Sequence, residues 1–286
     1  MSRLSTRRFC FVRQVTDLKE IQGLALKLLS QVDNFCKENQ IAYYLAYGTL
    51  LGAVRHQGFI PWDDDIDIWM RRDDFKRLVS IFPEWGKAHG LFINVAQTVH
   101  KNYNRAHAQI CLSNTTLIAN DRRNAFKEGY FIDVFPLDGT PNNSVLRWIR
   151  LTHLQILKNI ATLAAYRSDI KDNATTKTRL ITVIASIFKN IDTQTIMLKY
   201  EEVASKSNCS SSEYLQILTP AGRKGRNTLI RRKFFDSVRQ MPFENITASV
   251  PMGYDQILRQ IYGDYMKLPP IDARKPHHDF TLFIED

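Results

Sequence analysis

Residues 43–75 read YYLAYGTLLGAVRHQGFIPWDDDIDIWMRRDDF, and this stretch decides how the chain folds. Its centre, Asp65-Ile66-Asp67-Ile68-Trp69-Met70, alternates strictly. In an extended chain Asp65, Asp67 and Trp69 therefore share one face, and Ile66, Ile68 and Met70 the other. The pattern predicts a strand over 65–70 with two carboxylates on one side. Upstream, IAYYLAY at 41–47 is β-branched and aromatic and runs into Gly48, which predicts a buried strand ending at a glycine turn. TLLG then suits a short helix, and Gly58 with Pro61 a loop.

Asp63, Asp64, Asp65 and Asp67 place four carboxylates within five residues. Two carboxylates about 4 Å apart repel by roughly 4 kcal/mol at an effective dielectric near 20, so a cation should compensate them. A hard divalent ion suits, because Mg²⁺ takes oxygen ligands, commonly one or two carboxylates with substrate phosphates and water. Taken alone, the run is equally well explained as a solvated acidic turn after Pro61-Trp62.

On the N-terminal side, Leu18, Ile21, Ala25, Leu28, Val32 and Phe35 recur at helical spacing, with Asp17 and Glu20 as a capped start and Asn39 as a stop. On the other side, helical period returns over 73–82, and apolar runs at 91–96, 107–112 and 115–119 predict strands. GYFIDVF at 129–135 predicts another, with Phe131, Asp133 and Phe135 on one face. Two apolar-basic helical patterns follow within 145–206, separated by the polar SDIKDNATTK, and then a mixed tail whose YDQILRQIYGDYM predicts one short helix. There is no internal repeat and no low-complexity segment.

The chain has 286 residues, 44% apolar and 24% charged, a globular composition long enough for a substantial core. No apolar run reaches about 18 residues, so a spanning helix is not expected. MSRLSTRRFCFV lacks the apolar stretch and cleavage site of a secretory signal, which points to a cytoplasmic protein. Cys10, Cys36, Cys111 and Cys209 lie far apart with no metal spacing and read as reduced packing residues. The net charge of +10 favours anionic partners.

Two ordered strands bearing acids after a glycine turn, Gly48-Thr49, then Asp65 and Asp67, then Ile132-Asp133-Val134, resemble the nucleotidyltransferase superfold with its polymerase β-like palm. Residues 43–75, together with YFIDVFPLDGTP at 130–141 and YGDYMKLPP at 262–270 followed by His277-His278, resemble the LicD family of phosphotransferases. Residues 142–240 are the least diagnostic. The resemblance implies an α+β nucleotidyltransferase (polymerase β-like palm) mixed sheet with flanking helices and a helical C-terminal part. Residues 1–141 would form the catalytic core, and 142–286 would complete it and face the acceptor.

Carried over position by position, the resemblance makes Asp65, Asp67 and Asp133 the catalytic acids and ligands of Mg²⁺ or Mn²⁺. It makes Gly48 and Thr49 a phosphate-facing turn; Asp63 and Asp64 match the family string too, but by strand position they precede the metal-facing pair and stand behind it. It implies a CDP-linked donor such as CDP-choline and a glycan or lipid-linked glycan acceptor, with CMP as leaving group. Asp133 is also placed to act as a general base.

From the residues themselves, Arg55 is the best candidate for clamping a donor phosphate, since guanidinium donates in a fork; a surface arginine ending a short helix is the plainer reading. His56 reads as structural, Trp62 as a packed aromatic or a stacking surface, and His277-His278 as a pair too divergent for a ready clamp. The basic run from Arg223 to Lys233 reads as a solvated face, or as contact with phosphate or a membrane headgroup. An interfacial helix within 145–189 would bring peripheral membrane contact.

Three other activities fit less well. A nucleotidyltransferase of the same fold would transfer a nucleotide monophosphate and release pyrophosphate, using the same acids. A sugar transferase with a DxD site leaves Gly48-Thr49 and Asp133 unexplained. A nucleic-acid binder is suggested by charge alone, but basic and aromatic residues do not interleave in an RNA-binding motif.

Overall fold

The computed structural model describes residues 12–98, 103–119, 128–165, 183–188, 190–207, 209–217, 229–276 and 278–285. Cys10, His277, and Arg223, Lys224 and Arg226 of the basic run lie outside them. The chain is a mixed α+β protein. After β1 (Val12–Val15) comes α1 (Leu18–Glu38), which buries Ile21, Ala25, Leu28, Val32 and Phe35 as their spacing predicts. Asp17 caps it by accepting the Lys19 N–H, while Glu20 pairs with Arg13 instead of reaching back to the cap.

The elements that carry the acids follow. They are β2 (Tyr44–Leu45), α2 (Tyr47–His56), β3 (Asp67–Arg71) and α3 (Arg72–Ala88). Next come β4 (Leu91–Asn94), β5 (Ala108–Leu112), β6 (Thr115–Ala119), β7 (Phe131–Gly139), α4 (Ser144–Ala165) and α5 (Thr193–Ala204). The last elements are β8 (Tyr214–Ile217), β9 (Leu229–Arg231), β10 (Val238–Phe243), β11 (Ile246–Pro251), α6 (Tyr254–Tyr262) and β12 (Phe280–Glu285).

The central sheet runs β2-β3-β7-β5-β4, with β8 and β9 added beyond the second half of β7. Its parallel pair is β3 with β7; the other pairings are antiparallel. β7 is long enough to take β5 along its first half and β8 along its second. A separate sheet, β1-β12-β6, places β12 in its middle, and β10-β11 form a hairpin. One core runs from Val15 to Ile284, and a second, built on α4 and α5, packs Leu154, Ala161, Met197 and Tyr200 against Ala96, Tyr103 and Ala106.

Three expectations are corrected. The strand expected over 65–70 begins only at Asp67, because the partner β2 is two residues long and the Asp67 N–H goes to the Thr49 hydroxyl rather than a ladder. The strand expected over 41–47 ends at Leu45: Tyr47 turns to φ +42°, and Gly48 and Thr49 lie inside α2, not at a strand end. A helical C-terminal part is too simple, since β8 to β12 lie there; β8 and β9 join the central sheet and β12 pairs with β1.

Candidate functional site

β3 and β7 run parallel in a register that sets Asp67 opposite Asp133. Side chains alternate across a strand, so these carboxylates project from the same face of the sheet. The next pair on that face is Trp69 opposite Phe135, and Tyr47 meets both edge-on, with ring centres 5.0 and 5.3 Å away. The acids thus stand beside an aromatic floor.

Asp65 lies in the irregular lead into β3, and sequence-remote groups hold that lead in place. Gln22 of α1 donates to the Asp63 carbonyl at 2.9 Å, the buried Tyr130 hydroxyl donates to the Asp64 carbonyl at 2.8 Å, and the Asp133 N–H donates to the Ile66 carbonyl at 3.1 Å. The Thr49 hydroxyl accepts the Asp67 N–H at 2.9 Å, so the first turn of α2 is pinned to the first residue of β3. A Cβ on Gly48 would stand 2.8 Å from the Asp63 carboxylate, closer than a side chain can sit unless that carboxylate shifts.

The electrostatics sort the acids. Burial pushes Asp65 up to about 6, with Asp133 and Asp64 adding repulsion and His278 opposing it. Burial and the charges of Asp65, Asp133 and Asp63 push Asp67 well above the usual carboxylate range. Asp133 goes the other way: burial would raise it, but His107, Arg105 and Gln109 together hold it below its ordinary value. His107 Nε2 is 3.3 Å from Asp133 Oδ1, and Gln109 donates to the same oxygen at 2.9 Å. Arg105 fixes that amide by donating to its oxygen, and is itself paired with the buried Glu128.

His278 closes the opposite side. Its Nδ1 is 2.9 Å from Asp64 Oδ1 and its Nε2 3.8 Å from Asp65 Oδ2, and the Asp64 contact, working against burial, raises the ring to about 9. Asp64, Asp65 and His278 bring one ligand atom each within 4.8 Å of one another, a grouping capable of holding a metal ion. Asp64, expected behind the metal-facing pair, therefore stands in this grouping with Asp65, whereas Asp67 and Asp133 are outside it among the described residues and reach Asp65 through their charge.

Arg55 uses Nη1 to donate to the Tyr265 carbonyl and Nε to His56 Nε2, both at 2.9 Å. Trp62 lies beneath the Arg274 guanidinium, 5.6 Å from its ring centre. His107, Gln109, Arg105 and Glu128 escape the sequence reading. The signal available was the alternation of His107 and Gln109, two polar residues on one face of an otherwise apolar strand.

The LicD/FKTN/FKRP nucleotidyltransferase domain matches residues 40–149 of this chain. Over 268 residues the chain is 30% identical to the lipopolysaccharide cholinephosphotransferase LicD of Haemophilus influenzae, covering 93% of this chain and 98% of that one. Shorter likenesses join it to uncharacterised proteins of two Rickettsia species. For Rickettsia prowazekii the identity is 44% over 59 residues, 21% of this chain and 22% of the relative. For Rickettsia typhi it is 41% over 69 residues, 24% and 22%.

Proposed function

This chain belongs to the LicD family and is a transferase, and from that premise we propose that it moves phosphocholine from CDP-choline to a hydroxyl of a lipopolysaccharide-type glycan, releasing CMP. The observation that carries this reading is the register pairing of Asp67 with Asp133, with Asp65 beside them, inside the segment that matches the family domain. The order of the parts, a helix opening at Gly48-Thr49, then β3, then β7, suits a nucleotidyltransferase palm.

The donor set fits a hard divalent cation: Asp65, Asp67 and Asp133 offer only carboxylate oxygens, partly buried and in mutual repulsion. We assign these three to Mg²⁺ or Mn²⁺. When bound, such an ion supplies charge neutralisation to the donor phosphates and acidifies the attacking hydroxyl. The chain does the positioning. Thr49 fixes the start of β3, and Gln109 and His107 hold Asp133 ionised. Tyr47, packed edge-on against Trp69 and Phe135 on the strand face of the acids, is the aromatic we assign to the quaternary ammonium. The acceptor oxygen attacks the phosphorus that bears choline, and the bond from that phosphorus to the CMP oxygen breaks. Asp133, already ionised, is able to accept the hydroxyl proton, though its low basicity makes it a modest base.

A thermal-shift comparison of CDP-choline, CDP-glycerol and CTP, each with Mg²⁺ and with EDTA, tests the assignment. CDP-choline at 100 times its dissociation constant is expected to stabilise the protein by about 2.7 kcal/mol, and only with metal present. Stabilisation by CTP instead, with the acceptor gaining the mass of a cytidylate, would place the chain among transferases that release pyrophosphate.

Gly48→Ala probes the support of the acids. The new methyl must displace the Asp63 carboxylate, and through it the lead into β3. Misplacement of about 1 Å costs on the order of 10²-fold in rate, so turnover should fall by about that factor while the unfolding midpoint changes little. Unchanged turnover would mean that Asp63 moves aside without disturbing Asp65 and Asp67.

A further inference from the structure

α4 keeps its cations on the inner side and leaves part of its apolar surface on the outer side. Its cations point into the protein: Arg150 donates to the Gly139 carbonyl at 2.6 Å, Arg147 to the Pro141 carbonyl at 3.0 Å, and the buried Lys158 to the Asn104 carbonyl. One face, with Leu154, Leu157 and Ala161, packs into the second core against α5. On the opposite face Val145, Trp148, Ile149 and Ile156 recur at helical spacing and are 61, 67, 52 and 51% exposed. The outward side also carries Thr152, His153, Gln155 and Asn159, but a tryptophan and three aliphatics more than half exposed on one helix are more apolar surface than a solvated face needs.

We propose that the outward face of α4 docks in the headgroup region of an anionic bilayer, with Trp148 and Ile149 as its anchors. This goes beyond the reaction assigned above and does not depend on it. Three observations select the occupant. From Gly139 to Ser168 the sequence contains no Asp or Glu, in a chain that carries 29 of them, so nothing on this stretch repels an anionic surface. The net charge of +10 draws the molecule towards such a surface over about a Debye length. The exposed side chains are also those of the interface, a tryptophan flanked by aliphatics. α4 lies on the bilayer rather than crossing it, because among the described residues no helix is long and apolar enough to span. A second copy of the chain fits less well, since a stable dimer needs about 800 Å² from each partner, more than one stripe of four side chains offers.

Flotation with vesicles of phosphatidylethanolamine and phosphatidylglycerol tests the proposal on the full chain. The wild-type protein is expected to float, and bromine-labelled acyl chains should quench its tryptophan fluorescence. The double variant Trp148→Ser/Ile149→Ser should partition about tenfold or more weakly, keep the wild-type circular dichroism spectrum, and turn over a soluble acceptor at the wild-type rate. Wild-type protein that stays with the dense fraction, or a double variant that floats equally well, overturns the proposal. So does a wild-type dimer by light scattering that the double variant lacks, with no vesicle binding by either. Vesicle binding by a chain that transfers nothing from CDP-choline would leave the docking face standing and count only against the reaction.

Discussion

Asp67→Asn is expected to leave the protein folded and to lower turnover by about 10³-fold. The substitution keeps volume and shape and removes one negative charge from the face shared with Asp133. A unit charge pair at 4 Å is worth about 4 kcal/mol at an effective dielectric near 20, which converts to about three decades in rate. The effect on stability has the opposite sign. Burial and neighbouring acids raise the Asp67 carboxyl in the folded chain, so at neutral pH its ionised form opposes folding. In EDTA the variant should therefore melt above the wild type, and added Mg²⁺ should narrow the gap. A steady-state assay with paired melting curves measures both. Full activity in the variant would sink the assignment of Asp67 as a ligand, and a lower melting temperature in EDTA would show that the carboxylate is structural.

The second large effect lies away from the acids. Arg72 and Asp138 form a two-pronged ion pair, Nε to Oδ1 and Nη2 to Oδ2, each 2.7 Å long, with side chains 5 and 0% exposed. Removing one partner leaves a buried charge uncompensated, and Asp138→Ala should cost about 3–5 kcal/mol in urea unfolding. Pairing it with Arg72→Met should recover much of that loss, because two apolar side chains need no counter-charge. A single-variant loss below about 1 kcal/mol would mean that water already reaches the pair. The site depends on this pair through geometry. Arg72, the first residue of α3, and Asp138 on β7 each stand five residues beyond Asp67 and Asp133, so the bond that locks the start of α3 to β7 also fixes the register that brings the acids together. A slip of one residue would break the ion pair and turn the acids to opposite faces.

Much of this was legible from the sequence. The periodicity of α1 and α6 and the apolar runs of β4, β5 and β6 mark elements whose own residues decide their state. β8 to β11 were not legible for a physical reason: β8 and β9 are held by pairing to β7 and to each other, and β10, VRQMPF, is mostly exposed and carries a proline, whereas β12 alternates with Leu282 and Ile284 buried and was missed at the end of a mixed tail. The acids announced themselves because four crowd together in one stretch. Their supports did not, since Gln22, Tyr130 and Gln109 are ordinary residues until the fold brings them against Asp63, Asp64 and Asp133. His278 was visible but undervalued, because its partner Asp64 is 214 positions away.

That separation ties the site to the far end of the described chain. His278 stands two residues before β12, the strand held between β1 and β6. The contact between His278 and Asp64 therefore closes a loop of 214 positions and depends on the pairing of β12. The imidazole beside Asp64 is thus anchored by a strand that ties residues near 12–15 to residues near 280–285, so any change that loosens the β1–β12 pairing reaches the acids through His278.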